Sequence, residues 1–197
     1  MKRLFDIILS SFGILVLSPI LVLIAILVKI SSKGPVFFRQ VRVGKGNKDF
    51  RIFKFRTMYT GSDKKGLLTV GGRDPRVTKV GYYLRKFKLD ELPQLFNVFT
   101  GEMSLVGPRP EVRKYVEHYS ESDMEVLSVR PGITDYASIA FRNENDILKE
   151  SEDPEKKYIE EIMPIKLGLN KKYIAEKGMF KDLSIIFKTI TVIIKKQ

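Results

Sequence analysis

Residues Leu84 to Pro110 read LRKFKLDELPQLFNVFTGEMSLVGPRP. Two adjacent carboxylates, Asp90 and Glu91, lie among Arg85, Lys86 and Lys88, and Arg109 follows between two prolines. An aspartate kept ionised by neighbouring cations is available as a nucleophile. An adjacent glutamate can hold a divalent cation whose other ligands are phosphate oxygens. Arg85 and Arg109 can neutralise charge developing on a transferred phosphoryl group, and Pro108 and Pro110 restrict the backbone that carries Arg109. Pro93 fits only the first turn of a helix. A helix starting near Asp90 therefore puts both acids at its N-terminus, where the macrodipole favours their charged forms. A structural reading uses the same geometry, with Asp90 as an N-cap and Glu91 as a first-turn acid. Local sequence leaves both open.

Composition narrows the chemistry. A formal charge of +12 over 197 residues points to an anionic partner: nucleic acid, a phosphorylated substrate or an acidic lipid surface. The absence of cysteine excludes disulfides and thiolate metal sites. His118 is the single histidine and sits among alternating charges, which reads as a solvated helix face. Multi-histidine zinc sites are thereby excluded, and a Ser-His-Asp triad is unsupported. Any metal has oxygen ligands, which favours Mg²⁺ or Mn²⁺.

Several elements must position these residues. PVFFRQVRVGKGNKDFRIFKFRTM reads as a β-hairpin around a Gly/Asn/Asp turn. In its second strand Ile52, Lys54 and Arg56 share one face, opposite Phe53 and Phe55. The two cations form either a solvated surface or a clamp for phosphate oxygens. GKGNKD lacks the third glycine of a dinucleotide fingerprint. After a polar loop, YTGSDKKGLLTVGGRDP, apolar residues recur at helical spacing from Val77 to Phe99.

The ends of the chain point to a membrane. Ile7 to Val28 carries no charge, and 22 helical residues span about 33 Å, enough for a bilayer core of about 30 Å. A signal peptide fits less well, because its apolar region is shorter. Ser18 and Pro19 fall near the middle, where proline weakens a helix. Lys2 and Arg3 precede the segment, and Lys29 and Lys33 follow it. This symmetry gives no orientation by charge and leaves a kinked span and a re-entrant hairpin open. At the other end, Phe180, Leu183, Ile186, Phe187, Ile190 and Ile194 form an apolar stripe edged by Lys181, Lys188, Lys195 and Lys196. Such a helix either packs against the core or lies at the membrane interface, which lysines beside a broad apolar face favour. The acidic stretch at 144–161 reads as solvated helix or loop.

The blocks KRLFDIILSSFGILVLSPILVLIAILVKI, GPVFFRQVRVG, IFKFRTM, LDELPQLFNVFTGEMSLVGPRP and VRPGITDYASIAFRN resemble, in this order, those of bacterial sugar transferases. These are the monotopic phosphoglycosyl transferases that begin glycan assembly on polyprenol phosphate. The resemblance implies a two-step reaction with a UDP-sugar, with Asp90 as the nucleophile that takes the sugar-phosphate and releases UMP, and Mg²⁺ as cofactor. Glu91 matches the metal-binding acid, and Arg109 the arginine of a Pro-Arg-Pro element associated with substrate phosphate. Lys54, Arg56, Arg85, Arg130 and Arg142 are the further substrate-binding candidates; Lys54, Arg85 and Arg130 fall on basic positions of the family, and Arg142 lies in an Arg-Asn element. Ser18 and Pro19 match the break of a re-entrant membrane helix, which implies that both ends are cytoplasmic.

The expected fold is therefore α/β: a small helix-rich cytosolic domain (34–197) with a short β-hairpin, an N-terminal re-entrant membrane helix (1–33) and amphipathic interfacial helices. Its expected place is the cytoplasmic face of the bacterial plasma membrane, with UDP-sugar, polyprenol phosphate and inner-leaflet lipid as partners and no nucleic acid. A homo-oligomer stays open. Asp135-Tyr136-Ala137-Ser138 and Asn170 depart from common family residues and bear on sugar choice or packing. The competing readings are a membrane-tethered basic module that binds nucleic acid or anionic lipid, and a direct glycosyl transferase that releases UDP.

Overall fold

The computed structural model describes residues 1–62 and 74–194. Most of the polar loop before Asp74, together with Lys195, Lys196 and the side chain of Ile194, lies outside the described residues. The chain opens with a 30-residue helix, α1 (Lys2–Ser31), followed by an antiparallel hairpin of β1 (Phe37–Val43) and β2 (Asp49–Phe55). Helices α2 (Lys79–Lys86) and α3 (Gln94–Thr100) flank a 3₁₀ turn at Leu89–Glu91. Strands β3 (Ser104–Val106) and β4 (Gly132–Thr134) form a parallel pair, with α4 (Arg113–Val116) between them in sequence. The rest is helical: α5 (Tyr136–Ala140), α6 (Glu144–Lys149), α7 (Pro154–Lys157), a π-helical turn at Tyr158–Ile162, α8 (Met163–Glu176) and α9 (Met179–Ile194).

The hairpin matches its sequence pattern. Period two sends Phe55 into a cluster with Leu21, Ile24 and Val28 of α1 and Leu84 of α2, while Ile52 packs with Val98 and Met103. Each of these buried side chains contributes about 1.5–3 kcal/mol by leaving water. A larger cluster joins Val106, Val112 and Tyr115 to Leu148, Tyr158, Leu167 and Tyr173, and holds α8 and α9 against the β3/β4 pair. The two strands of that pair cross closely at Gly107 and Gly132: a Cβ on Gly132 would lie 2.1 Å from the Gly107 nitrogen. Only glycine allows that approach, and it fixes where the Pro108-Arg109-Pro110 turn begins.

Helix α1 is long and apolar enough to cross a membrane, yet both of its ends are bonded to the rest of the chain. At its start Lys2 Nζ donates to the Val106 carbonyl (3.0 Å), Tyr173 Oη (3.1 Å) and Asp182 Oδ2 (2.5 Å). Arg3 donates to the Val98 and Phe99 carbonyls (2.5 and 2.7 Å) at the end of α3. The buried Asp6 accepts from Ser104 Oγ and the Leu105 amide, both at 3.1 Å. At its far end the Arg56 guanidinium binds the carbonyls of Val28 (3.3 Å) and Ser32 (2.9 Å). Helix ends leave carbonyls without intrahelical partners, and Arg56 takes up that shortfall. Between these anchors Phe12, Leu15, Ile20 and Leu23 are exposed.

The helix also runs without interruption through Pro19, where the sequence suggests a break. Proline removes the amide that would serve the Leu15 carbonyl. Ser18 Oγ donates to that carbonyl at 2.8 Å and so replaces the missing bond.

Candidate active site

The junction between α2 and α3 presents the acid pair. Thr78 caps the start of α2 by accepting the Gly81 amide at 2.9 Å. At its end Lys88 adopts left-handed backbone angles (φ 57°, ψ 20°), which cost a non-glycine residue about 1–2 kcal/mol. That turn reverses the chain into the 3₁₀ segment carrying Asp90 and Glu91, and α3 begins only at Gln94. The acids thus precede the α-helix that sequence reasoning starts near Asp90, with Pro93 as its cap residue.

Their environments differ. Asp90 is 8% exposed, and its Oδ1 is buried without a partner. Burial raises its pKa above the ordinary 3.8, the neighbouring Glu91 charge adds to this, and Lys54, Lys88 and Arg85 oppose it. Loss of water thus outweighs the nearby cations in setting the direction of the shift. Burial pushes Glu91 upward too, but Arg109 and then Lys54 hold it well below the ordinary 4.5. The Arg109 guanidinium grips Glu91 with Nη2 to Oε1 at 2.5 Å and Nη1 to Oε2 at 3.1 Å, and Lys54 Nζ reaches Oε1 at 3.0 Å. The Glu91 charge raises the Arg109 pKa, while burial lowers that of Lys54. Arg85 donates to Thr57 Oγ1 at 2.8 Å; burial lowers its pKa and the Asp90 charge raises it.

Lys54, Arg85 and Arg109 therefore converge with Asp90 and Glu91. Other candidates are placed elsewhere. Arg56 is buried, and each of its guanidinium nitrogens donates to the segment ending α1: Nε to the Pro35 carbonyl (2.6 Å), Nη1 to Ser32 Oγ (2.5 Å), and Nη2 to the Val28 and Ser32 carbonyls. Here it serves as a helix clamp. Arg130 Nε donates to the Gly101 carbonyl at 2.8 Å, at the end of α3 opposite the acids. Arg142 is exposed in the turn between α5 and α6.

Three further residues near the acid pair and the Arg109 turn gain a placement that the sequence did not give them. Lys88 supplies both the turn and a nearby charge. Gln94 is 1% exposed with neither amide atom bonded, one turn beyond Asp90. Asp135 is fully buried and accepts the Arg109 backbone amide at 3.0 Å. In the sequence Lys88 is named only as a nearby cation and Asp135 only as a departure from common family residues, and Gln94 carries no reading.

Among the described residues no group of three or more Asp, Glu, His or Cys side chains could enclose a metal. The acid pair still suits Mg²⁺. Glu91 accepts three bonds of the roughly four its carboxylate can take, and Asp90 Oδ1 has no partner. Mg²⁺ commonly takes one or two carboxylates and completes its shell with phosphates and water.

The site is thus an unequal carboxylate pair with Lys54, Arg85 and Arg109 around it. Comparison with known proteins shows that the chain belongs to the bacterial sugar transferase family, which it matches over residues 1–196. It is 40% identical over 196 residues to the UDP-N-acetylgalactosamine-undecaprenyl-phosphate N-acetylgalactosaminephosphotransferase of Aeromonas hydrophila, covering 98% of this chain and 43% of that protein. It is 42% identical over 194 residues to the UDP-glucose:undecaprenyl-phosphate glucose-1-phosphate transferase of Escherichia coli (strain K12), covering 96% of this chain and 39% of that protein. The exopolysaccharide production protein ExoY of Rhizobium meliloti (strain 1021) is 35% identical over 207 residues, covering 98% of this chain and 84% of its own length. The chain thus spans about two fifths of the first two relatives.

Proposed function

We propose that this protein transfers a sugar-1-phosphate from a UDP-sugar to polyprenol phosphate through a covalent intermediate on Asp90. The observation that carries this is the division of the acid pair: Glu91 is bound by Arg109 and Lys54, while a buried oxygen of Asp90 has no partner. In the first step an Asp90 oxygen attacks the β-phosphorus of the donor. A phosphorus–oxygen bond forms to the carboxylate, the bond to the oxygen bridging the two phosphates breaks, and UMP leaves. In the second step a phosphate oxygen of the polyprenol acceptor attacks the same phosphorus and frees the Asp90 carboxylate. The product is a polyprenol diphosphate-linked sugar.

The residues divide the work by chemistry. Burial of Asp90 removes hydration that would blunt a carboxylate nucleophile. Arg109 offers a planar fork suited to phosphate oxygens, and Lys54 and Arg85 add positive charge beside the reacting group. Glu91 and Asp90 would hold Mg²⁺, which supplies charge neutralisation on the diphosphate. The relatives named for UDP-sugars and undecaprenyl phosphate support these substrate classes.

We further propose that α1 enters one leaflet and returns, leaving the site on the cytoplasmic face of the bacterial plasma membrane. Both ends of α1 bond to the same catalytic body. A perpendicular span would carry one end about 30 Å away. The bend would form at Ser18-Pro19, where the backbone lacks one amide donor. On α9, Phe180 and Phe187 are exposed beside Lys188, as an interfacial helix requires.

Nucleotide release from a panel of UDP-sugars with Mg²⁺ and polyprenol phosphate tests the reaction class. UMP is expected; UDP as the product would instead support direct glycosyl transfer.

A further inference from the structure

The Pro108-Arg109-Pro110 turn has a single backbone donor, because neither proline carries an amide hydrogen. That donor, the Arg109 N–H, points to Asp135 Oδ2 at 3.0 Å. The other oxygen of the same carboxylate, Oδ1, accepts the Ser138 amide at 2.6 Å and so caps α5. Asp135 is 0% exposed, so water does not compete for either bond. The carbonyls of the two prolines are bonded as well. The Pro108 carbonyl accepts the Gly132 amide at 3.0 Å, and the Pro110 carbonyl accepts Arg42 Nη1 at 3.0 Å.

The Arg109 side chain is in a different situation. Its guanidinium is held by Glu91 in the structure, and binding a phosphate group requires it to exchange or share that partner. A side chain that changes partners delivers its charge to a defined place only if its backbone stays still. We infer that Asp135 is a positioning residue for the transfer reaction: its carboxylate ties the one free amide of the turn to the start of α5, so that Arg109 is aimed at the donor phosphates. This rests on the reading above that Arg109 binds substrate phosphate. Asp135 touches no substrate, and it acts through Arg109.

Two substitutions separate aiming from capping. Asp135→Ser keeps an N-cap hydroxyl for α5 but offers one oxygen in place of two, and so releases the Arg109 amide. Asp135→Ala loses both bonds. Initial rates of UMP release give kcat/KM for the donor in each variant, in the native and the Arg109→Ala backgrounds, alongside thermal unfolding.

With Arg109 present, Asp135→Ser unfolds a few degrees below the native protein, because the Arg109 amide is left unpaired, stays folded at the assay temperature, and loses about ten- to a hundredfold in kcat/KM, as expected for a misaligned charge-assisted contact. In the Arg109→Ala background the same substitution costs less than about twofold, because nothing is left to aim. Activity that follows the cap alone, native-like in Asp135→Ser and reduced only in Asp135→Ala, would overturn the inference. So would losses that multiply fully in the double variant. If Arg109→Ala by itself leaves turnover unchanged, the reading of Arg109 as a phosphate ligand fails, and the inference falls with it.

Discussion

Replacing Glu91 with glutamine probes the charge balance of the site through stability alone. The substitution keeps size and shape but leaves Arg109 and Lys54 facing a neutral amide. Removing one partner of a buried ion pair costs about 3–5 kcal/mol, chiefly because the remaining charge is stranded. Here the Arg109 side chain keeps 30% of its exposure and Lys54 keeps 17%. Solvent therefore compensates part of the loss, and the lower end applies, about 3 kcal/mol. For a chain of this length each kcal/mol moves the midpoint by about 2–4 °C, giving a drop of about 6–12 °C at pH 7. The chain has no tryptophan, so circular dichroism of the detergent-solubilised protein is a suitable readout. The pH dependence follows from linkage. Arg109 and Lys54 hold the folded pKa of Glu91 below its ordinary 4.5. Its contribution is complete above about pH 4.5 and lost as pH falls through the folded pKa. The gap between native protein and variant should then close in acid, where native Glu91 is itself neutral. An equal midpoint at pH 7, or a gap that persists unchanged to the most acid pH at which both fold, would refute the ion-pair reasoning.

Other consequences can be checked separately. Burial raises the Asp90 pKa, and the nucleophile must be ionised, so the single-turnover rate of UMP release should rise with pH along a limb centred above 3.8; a limb at or below that value would contradict a desolvated Asp90. Arg56→Ala should speed amide hydrogen exchange at the end of α1 and lower stability by about 1.5–3 kcal/mol, with donor KM unchanged. A raised donor KM at native stability would return Arg56 to the substrate site. A tag on Met1 should stay protected from external protease in intact spheroplasts, and cleavage there would contradict a helix that returns to the cytoplasmic face.

The sequence revealed those parts of the molecule that repeat or cluster. Alternation from Phe37 to Phe55 gives the hairpin, and helical spacing around Pro93 locates the acids to within a few residues. The charge-free run in α1 gives the apolar helix. Features that depend on long-range packing were invisible. Arg56 lies one residue past the end of β2, and nothing local indicates that α1 ends beside it. Arg130 likewise meets the end of α3 from 29 residues away. Lys2 and Arg3 read as flanking charge and Asp6 carried no reading, whereas the three fasten α1 to α3, β3 and α9. The β3/β4 pair has three residues per strand, too short for any period to register. The protonation balance of Asp90 and Glu91 escaped for the same reason, since local sequence supplies the cations but not the burial.

The central claim is that Asp90 becomes covalently attached to the phosphosugar. Intact-protein mass spectrometry after incubation with Mg²⁺ and the preferred UDP-sugar, without polyprenol phosphate, tests it most directly. A mass increase equal to one sugar-phosphate, mapped to Asp90, absent from Asp90→Asn and discharged by added polyprenol phosphate, is the expected result. Turnover to the lipid-linked product by Asp90→Asn, or an adduct on another residue that forms and discharges at the catalytic rate, would contradict it.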